Sequence, residues 1–336
     1  MKPVGFLIAW VFLMTTALRS LVGDIGGTNA RFALVNPDSL KLEGIQRMSS
    51  IDYPDLEEAV RVYLKSQGVE TIARACLAVA GPVLDGKVRF TNSHWKIDQK
   101  QFKEDFNLEV MELINDFAAQ ALAVPHLPSE ELLSIGPELE MDPDAVKLVI
   151  GPGTGLGVCG LIETPMGWKA LPGEGGNVDF APTSERDISV WRFMRKEVGG
   201  LLGVERILSG SGLELLYEAH SSLDGRMDRL QAADITGQAL EEHDSLAYEV
   251  LDHFFEILGN TAGNAALTLG ARGGVYIAGG IIPRVKKLFA KGTFRKAFER
   301  RDKMKDYMSG IPTSLILSEH PGLTGAAAYL NCSGNY

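Results

Sequence analysis

LVGDIGGTNARFAL, residues 21–34, decides how this chain is read. Two apolar runs flank Gly26-Gly27, and apolar–turn–apolar at this length predicts a β-hairpin. The pattern returns at 146–162, where apolar runs flank GPGTGLG at 151–157. Gly27-Thr28 in the first turn is answered by Gly153-Thr154 in the second. The separation is too long for a solenoid repeat. It predicts two related α/β halves, each opening with a hairpin.

The rest of the chain supplies what such halves need. Residues 55–67 have helical apolar spacing, and 72–80 read as a buried strand. Residues 108–114 form another strand that runs into Asn115-Asp116 and a helix over 117–123, stopped by Pro125 and Pro128. The acidic, proline-punctuated stretch 128–143 reads as a loop. The region 188–251 is mainly helical, and 245–269 reads as one long buried helix. Gly259 and Gly263 within it let another backbone approach. A strand over 275–278, a Gly279-Gly280 turn, Pro283 at the start of the next helix and a last helix over 322–330 complete the reading.

Composition limits the function. The chain has 336 residues, 45% hydrophobic and 23% charged, which is ordinary globular material. Its net charge of −10 argues against binding duplex nucleic acid. Cys76, Cys159 and Cys332 lie far apart with no CxxC, which suits reduced thiols in a cytoplasmic protein. The six histidines form no HExxH, so no zinc site is expected. Residues 1–20 form an apolar segment that resembles a secretory signal, with a cleavage pattern near Ala17; the alternative is a start at Met14. The run is too short for a comfortable membrane span, so no stable membrane association is expected. Export is the reading a true signal would give.

The 37 glycines are an excess, and they concentrate in the proposed turns. Gly155, Gly157 and Gly160 match the dinucleotide fingerprint as a string, but the residues after Gly157 read as strand where the fingerprint needs a helix. No P-loop string occurs. A glycine hairpin can still hold phosphate, because successive backbone N–H groups form a concave anion site. Gly26, Gly27, Gly153 and Gly155 would supply backbone, with Thr28, Asn29 and Thr154 as side-chain donors. Two ordinary surface hairpins are the plain alternative. The pair together, with Asp24 at the end of the first strand, favours a nucleotide.

Five segments in consistent order, LVGDIGGTNARFAL (21–34), IGPGTGLGVCGL (150–161), LPGEGGNVDFAP (171–182), ERILSGSGL (205–213) and GGVYIAGGI (273–281), resemble bacterial glucokinases of the non-zinc type. The resemblance covers about 21–330. It implies an α/β actin-like ATPase (RNase H-like) fold of two duplicated lobes with an interlobe cleft. The implied division is a small lobe of 21–125 plus 318–336 and a large lobe of 126–317. The implied reaction transfers the γ-phosphoryl of ATP to the 6-hydroxyl of glucose, with Mg²⁺ on the phosphates. Asp116 fits the general base; its plain structural role would be a helix N-cap. Asn115, Glu174, Asn177 and Glu205 are the implied sugar contacts, with Asn92 in a further sugar-side turn. Asp24 would order Mg²⁺ through water. Gly279 and Gly280 would bring backbone near the adenosine. Arg31 and Arg272 are further cations whose roles the sequence leaves open. Relatives commonly carry histidine where this chain has Asn177, which bears on sugar choice. The resemblance also implies a homodimer. The alternatives are a kinase for another hexose or donor, and a non-catalytic sugar sensor.

Overall fold

The computed structural model describes residues 19–36, 39–81, 83–90, 93–243 and 245–332. The apolar N-terminal segment read over 1–20 therefore lies outside the described residues except for its last two, and Asn92 lies outside them too. The chain divides into two compact units: one runs to His126 and resumes at His320, the other is Leu127–Glu319.

In the first unit β1 (Ser20–Ile25), β2 (Asn29–Val35) and β3 (Leu42–Ser49) form an antiparallel meander. β4 (Arg74–Val79) lies parallel to β1 and is followed in space by β7 (Val110–Asn115), parallel again; the sheet order is β3-β2-β1-β4-β7. A separate small hairpin is made by β5 (Lys87–Arg89) and β6 (Lys96–Asp98). The predicted helix spans Leu56–Ser66. Asp55 caps it by accepting from the Glu58 N–H at 2.8 Å, and Leu56, Ala59, Val60, Tyr63 and Leu64 form its buried stripe. Two alanine-rich helices, Asp116–Ala123 and Pro321–Cys332, pack backbone to backbone. At Gly325 a Cβ would run into the carbonyl of Ala119, so only glycine permits that approach.

The second unit repeats the topology. β9 (Lys147–Pro152), β10 (Leu156–Thr164) and β11 (Gly167–Gly173) form the meander, and β12 (Val275–Ile277) and β13 (Thr313–Ile316) add parallel strands. The order β11-β10-β9-β12-β13 matches the first sheet strand for strand. One strand was not expected. β8 (Leu132–Ser134) closes the edge antiparallel to β13, inside the stretch read as loop. Three residues give too little alternation to be legible; the open edge of β13 supplies the order.

The long helix is Leu246–Leu269, capped by Ser245 and ended by Gly270 at φ +65°. Gly259 does admit a neighbouring backbone, the carbonyl of Phe294, and Gly263 lies against the Arg301 guanidinium. Three helices of this unit are joined through a buried polar chain. Asp187, in the first turn of Glu185–Val198, lies 2.6 Å through Oδ1 from His253 Nε2 on the long helix. His253 Nδ1 lies 2.8 Å from His220 Nε2 on the helix Gly210–Leu223. All three residues are buried.

This chain sets an acid limit. Burial, the neighbouring His253 and Arg186 push the His220 imidazole down to about 4. Burial alone would raise the Asp187 carboxyl, but hydrogen bonds from His253 and Thr183 outweigh it and hold the carboxyl well below the usual carboxylate range. Above pH ~6.5 His220 is neutral whether folded or unfolded. As pH falls from there to about 4, only the unfolded imidazole takes up a proton. Stability therefore drops across that window by up to about 3 kcal/mol. Urea unfolding at several pH values is expected to show this loss, and His220→Gln is expected to flatten it. An acid limb equally steep in the variant would contradict the assignment.

Candidate active site

In each unit some of the predicted site residues follow the carboxyl ends of parallel strands, Asp24 and Asn115-Asp116 in the first and the 153–155 and 279–280 turns in the second, where open α/β sheets place their ligands. The register fixes this in the first unit: Asp24 on β1 stands beside Ala78 on β4, and Val79 on β4 beside Asn115 on β7. Asp24 and Asn115 thus share one sheet edge, two strand spacings or about 10 Å apart.

The β7–helix junction is built by Asn115. Its Oδ1 accepts from the N–H groups of Phe117 (2.9 Å) and Ala118 (3.1 Å), so Asn115 is the N-cap and Asp116 is the first helical residue. The capping role weighed for Asp116 belongs to its neighbour. The cap uses the Asn115 oxygen, which leaves its amide as the group that can donate to a sugar hydroxyl. Asp116 Oδ1 accepts from the Phe117 N–H at 2.9 Å, at the positive end of the helix dipole, where a carboxylate is favoured.

Asp24 is partly exposed, with Arg31 reaching its Oδ2 at 3.4 Å. Burial pushes its carboxyl upward, and Arg31 and His320 pull it part of the way back. Its carboxylate also faces the first turn of the helix Pro321–Cys332, where a Cβ on Gly322 would stand 3.1 Å from the Asp24 Cγ. Arg31 is accordingly engaged with Asp24. Arg272 pairs with Asp142 at 3.3 Å and precedes β12, at the end of its strand opposite Gly279.

The two glycine turns are closed in a similar way. The Gly26 N–H donates to the Asn29 carbonyl (2.9 Å), and the Gly153 N–H to the Gly155 carbonyl (2.7 Å). The next two N–H groups, of Gly27 and Thr28 and of Thr154 and Gly155, donate to no protein acceptor among the described residues. Each hairpin therefore presents an adjacent pair of donors, the arrangement an anion needs. Residues that sequence reasoning missed brace these turns. Ser50 donates through Oγ to the Gly27 and Thr28 carbonyls (3.0 and 3.1 Å), and Arg47 Nε donates to Asn29 Oδ1 (3.1 Å). In the second unit the Gly210 N–H donates to the Gly153 carbonyl at 2.9 Å, joining the turn to the start of a helix. Ser50 follows Ser49 at the end of β3 and belongs to no motif that points to a turn 22 residues earlier.

The second unit brings its sugar and phosphate candidates into one cluster. Glu205 Oε2 accepts from the Leu156 N–H at 2.9 Å and lies against Gly155, so this acid is fixed by the hairpin itself. The Asn177 amide lies 3.5 Å from Glu174 Oε2, and the Asn177 N–H donates to the Glu174 carbonyl at 3.0 Å. Gly176 packs on the Leu156 carbonyl, and the Val204 N–H donates to the Val178 carbonyl, which draws the 174–178 turn toward Glu205. Gly279, at φ +84°, abuts the Pro152 carbonyl, so Gly279-Gly280 lies beside the same hairpin.

Solved structures that share this actin-like ATPase fold include glucokinases and other ROK family proteins. A glucokinase from an Antarctic psychrotroph is 35% identical, covers 93% of this chain and 98% of its own, and superposes with a TM-score of 0.84. A ROK family glucokinase from Streptomyces griseus, solved with glucose and AMPPNP, is 18% identical over 93% of this chain and 99% of its own, with a TM-score of 0.61, a likeness of fold alone. The glucokinase family model matches residues 21–333, and a glucokinase from Marinobacter nauticus is 46% identical over 95% of this chain and 99% of its own length. This chain belongs to the glucokinase family.

The position of Gly279 gives a test. Alanine there adopts a left-handed backbone at a cost of about 1–2 kcal/mol and also meets the Pro152 carbonyl. Gly279→Ala is expected to lower Tm by about 2–8 °C and to raise KM for ATP more than KM for glucose. An unchanged Tm would show that this turn does not require glycine.

Proposed function

We propose that this chain transfers the γ-phosphoryl group of ATP to the 6-hydroxyl of glucose, with Asp116 as general base. The observation that carries the role of Asp116 is the Asn115-capped junction. It holds the Asp116 carboxylate at the carboxyl end of β7, on the same sheet edge as Asp24. In the reaction the O6–H proton passes to Asp116 as O6 forms its bond to phosphorus. The bond from phosphorus to the bridging oxygen breaks, and ADP leaves with the electron pair.

Glu174 and Asn177, gathered on one turn, are suited to grip sugar hydroxyls, since a carboxylate accepts two and an amide both donates and accepts. Glu205 joins them as an acceptor already oriented by the Leu156 N–H. The paired donors of the two glycine turns suit phosphate oxygens, so a chain of net charge −10 can hold an anion through local N–H groups. Gly279 packs on the Pro152 carbonyl, and Gly280 beside it faces open space that suits the adenosine.

Asp24 suits a Mg²⁺ ion that keeps much of its water. It is a hard oxygen donor, and Arg31 approaches only one of its two oxygens. Among the described residues no group of three or more Asp, Glu, His or Cys side chains is placed to hold a metal ion. Bound there, Mg²⁺ would neutralise charge developing on the phosphates. Family resemblance supports a homodimer. Among the described residues no helix is long and apolar enough to cross a membrane; the widely spaced cysteines Cys76, Cys159 and Cys332 suit reduced thiols in the cytoplasm.

Asp116→Ala is expected to lower kcat by about 10²-fold or more, the loss associated with removing a general base, while glucose binding measured by calorimetry persists. Near-normal kcat in that variant would remove Asp116 from the mechanism.

A further inference from the structure

The segment from Glu174 to Thr183 carries two of the proposed sugar contacts yet is poorly covered. Glu174, Asn177, Val178 and Asp179 are exposed, and Phe180 is its main buried side chain. Exposed backbone of this kind needs fixed points to hold side chains in a binding geometry. One is the short ladder with 202–204, where the Phe180 N–H donates to the Leu202 carbonyl (2.9 Å) and the Val204 N–H to the Val178 carbonyl (2.8 Å). The other is its last residue. Asp187 Oδ2 accepts from both the N–H and the hydroxyl of Thr183, at 2.7 and 2.9 Å. Thr183 Oγ1 in turn accepts from Asn260 Nδ2 (3.2 Å) and Arg300 NH2 (3.0 Å).

Asp187 is buried, and burying a carboxylate is costly unless it is paired and hydrogen-bonded. Its other oxygen meets His253, and His253 meets His220. The Glu256 carboxylate binds both Arg186 (3.1 Å) and Arg300 (3.0 Å), which locks the surrounding charges in place. The His220 helix begins at Gly210, whose N–H holds the Gly153 carbonyl of the phosphate turn. A chain of contacts, exposed at Thr183 and buried from Asp187 through His253 to His220, thus runs from the foot of the sugar segment to the helix that braces the phosphate turn. None of its members is among the proposed substrate contacts.

We propose that Thr183, Asp187 and His253 are positioning residues for glucose, acting by fixing the foot of the 174–183 segment so that Glu174 and Asn177 are held ready for the sugar. The proposal rests on the kinase reading above. It separates glucose binding from chemistry: weakening the foot disorders the sugar contacts and leaves Asp116, which lies elsewhere, in place.

The test is steady-state kinetics on the full chain with a gentle pair of variants. Thr183→Val keeps shape and backbone N–H but loses the hydroxyl; Thr183→Ser keeps the hydroxyl. Thr183→Val is expected to raise KM for glucose about tenfold, the equivalent of one lost hydrogen bond to a charged group, with kcat and KM for ATP within about twofold. Thr183→Ser is expected to stay within about twofold of the parent in all three. His253→Leu, which strips Asp187 of its other donor, is expected to give the same selective rise, and His253→Gln, whose amide can donate, is expected not to. These two serve where Thr183→Val does not fold. Unchanged glucose KM in Thr183→Val, equal rises for glucose and ATP, or failure of serine to restore binding would each overturn the positioning role. An unsubstituted protein that turns over no glucose would instead remove the kinase reading, and this role with it.

Discussion

Parallel pairing is the constraint on which the rest depends. In each unit a meander of three strands is extended by two strands running parallel to its first, and parallel strands end together. Side chains and turns that follow those ends are therefore delivered to one edge without any further device. Asp24, Asn115 and Asp116 gather in one unit; Gly153-Thr154-Gly155 and Gly279-Gly280 gather in the other. No local propensity could have put these residues side by side, since they come from strands far apart in sequence.

Much of this was legible because repetition was. The Gly-Thr turns announced two hairpins, and the apolar runs around them fixed the strands. The rejection of a dinucleotide fingerprint held: Gly157 and Gly160 lie within β10. Helix ends were readable where a side chain caps them, as at Asp55 and Ser245. β8 was not, because three residues at a sheet edge take their order from β13. The capping assignment at 115–116 illustrates a finer limit. Both residues are good caps, and only the backbone says which stands half outside the helix.

The candidate site was legible in outline and not in its supports. Glycine turns and acids after strands are visible patterns with a chemical rationale. Ser50, which ties down the first turn, and the Leu156 N–H, which fixes Glu205, act through contacts across long sequence separations. Arg272 was visible, but its role was open in the sequence; in the structure it precedes β12 and is paired with Asp142. The buried Asp187–His253–His220 chain likewise left no motif, since its members lie on three helices.

In the proposed reaction the two glycine turns serve ATP, and the acidic and amide groups serve glucose. A coupled assay for ADP across a panel of hexoses and phosphoryl donors tests it most directly, and it addresses the asparagine at 177 as well. ADP release is expected to require both ATP and glucose, with glucose preferred over its epimers. Turnover with another hexose or donor in preference, or no sugar-dependent release of ADP at all, would contradict it.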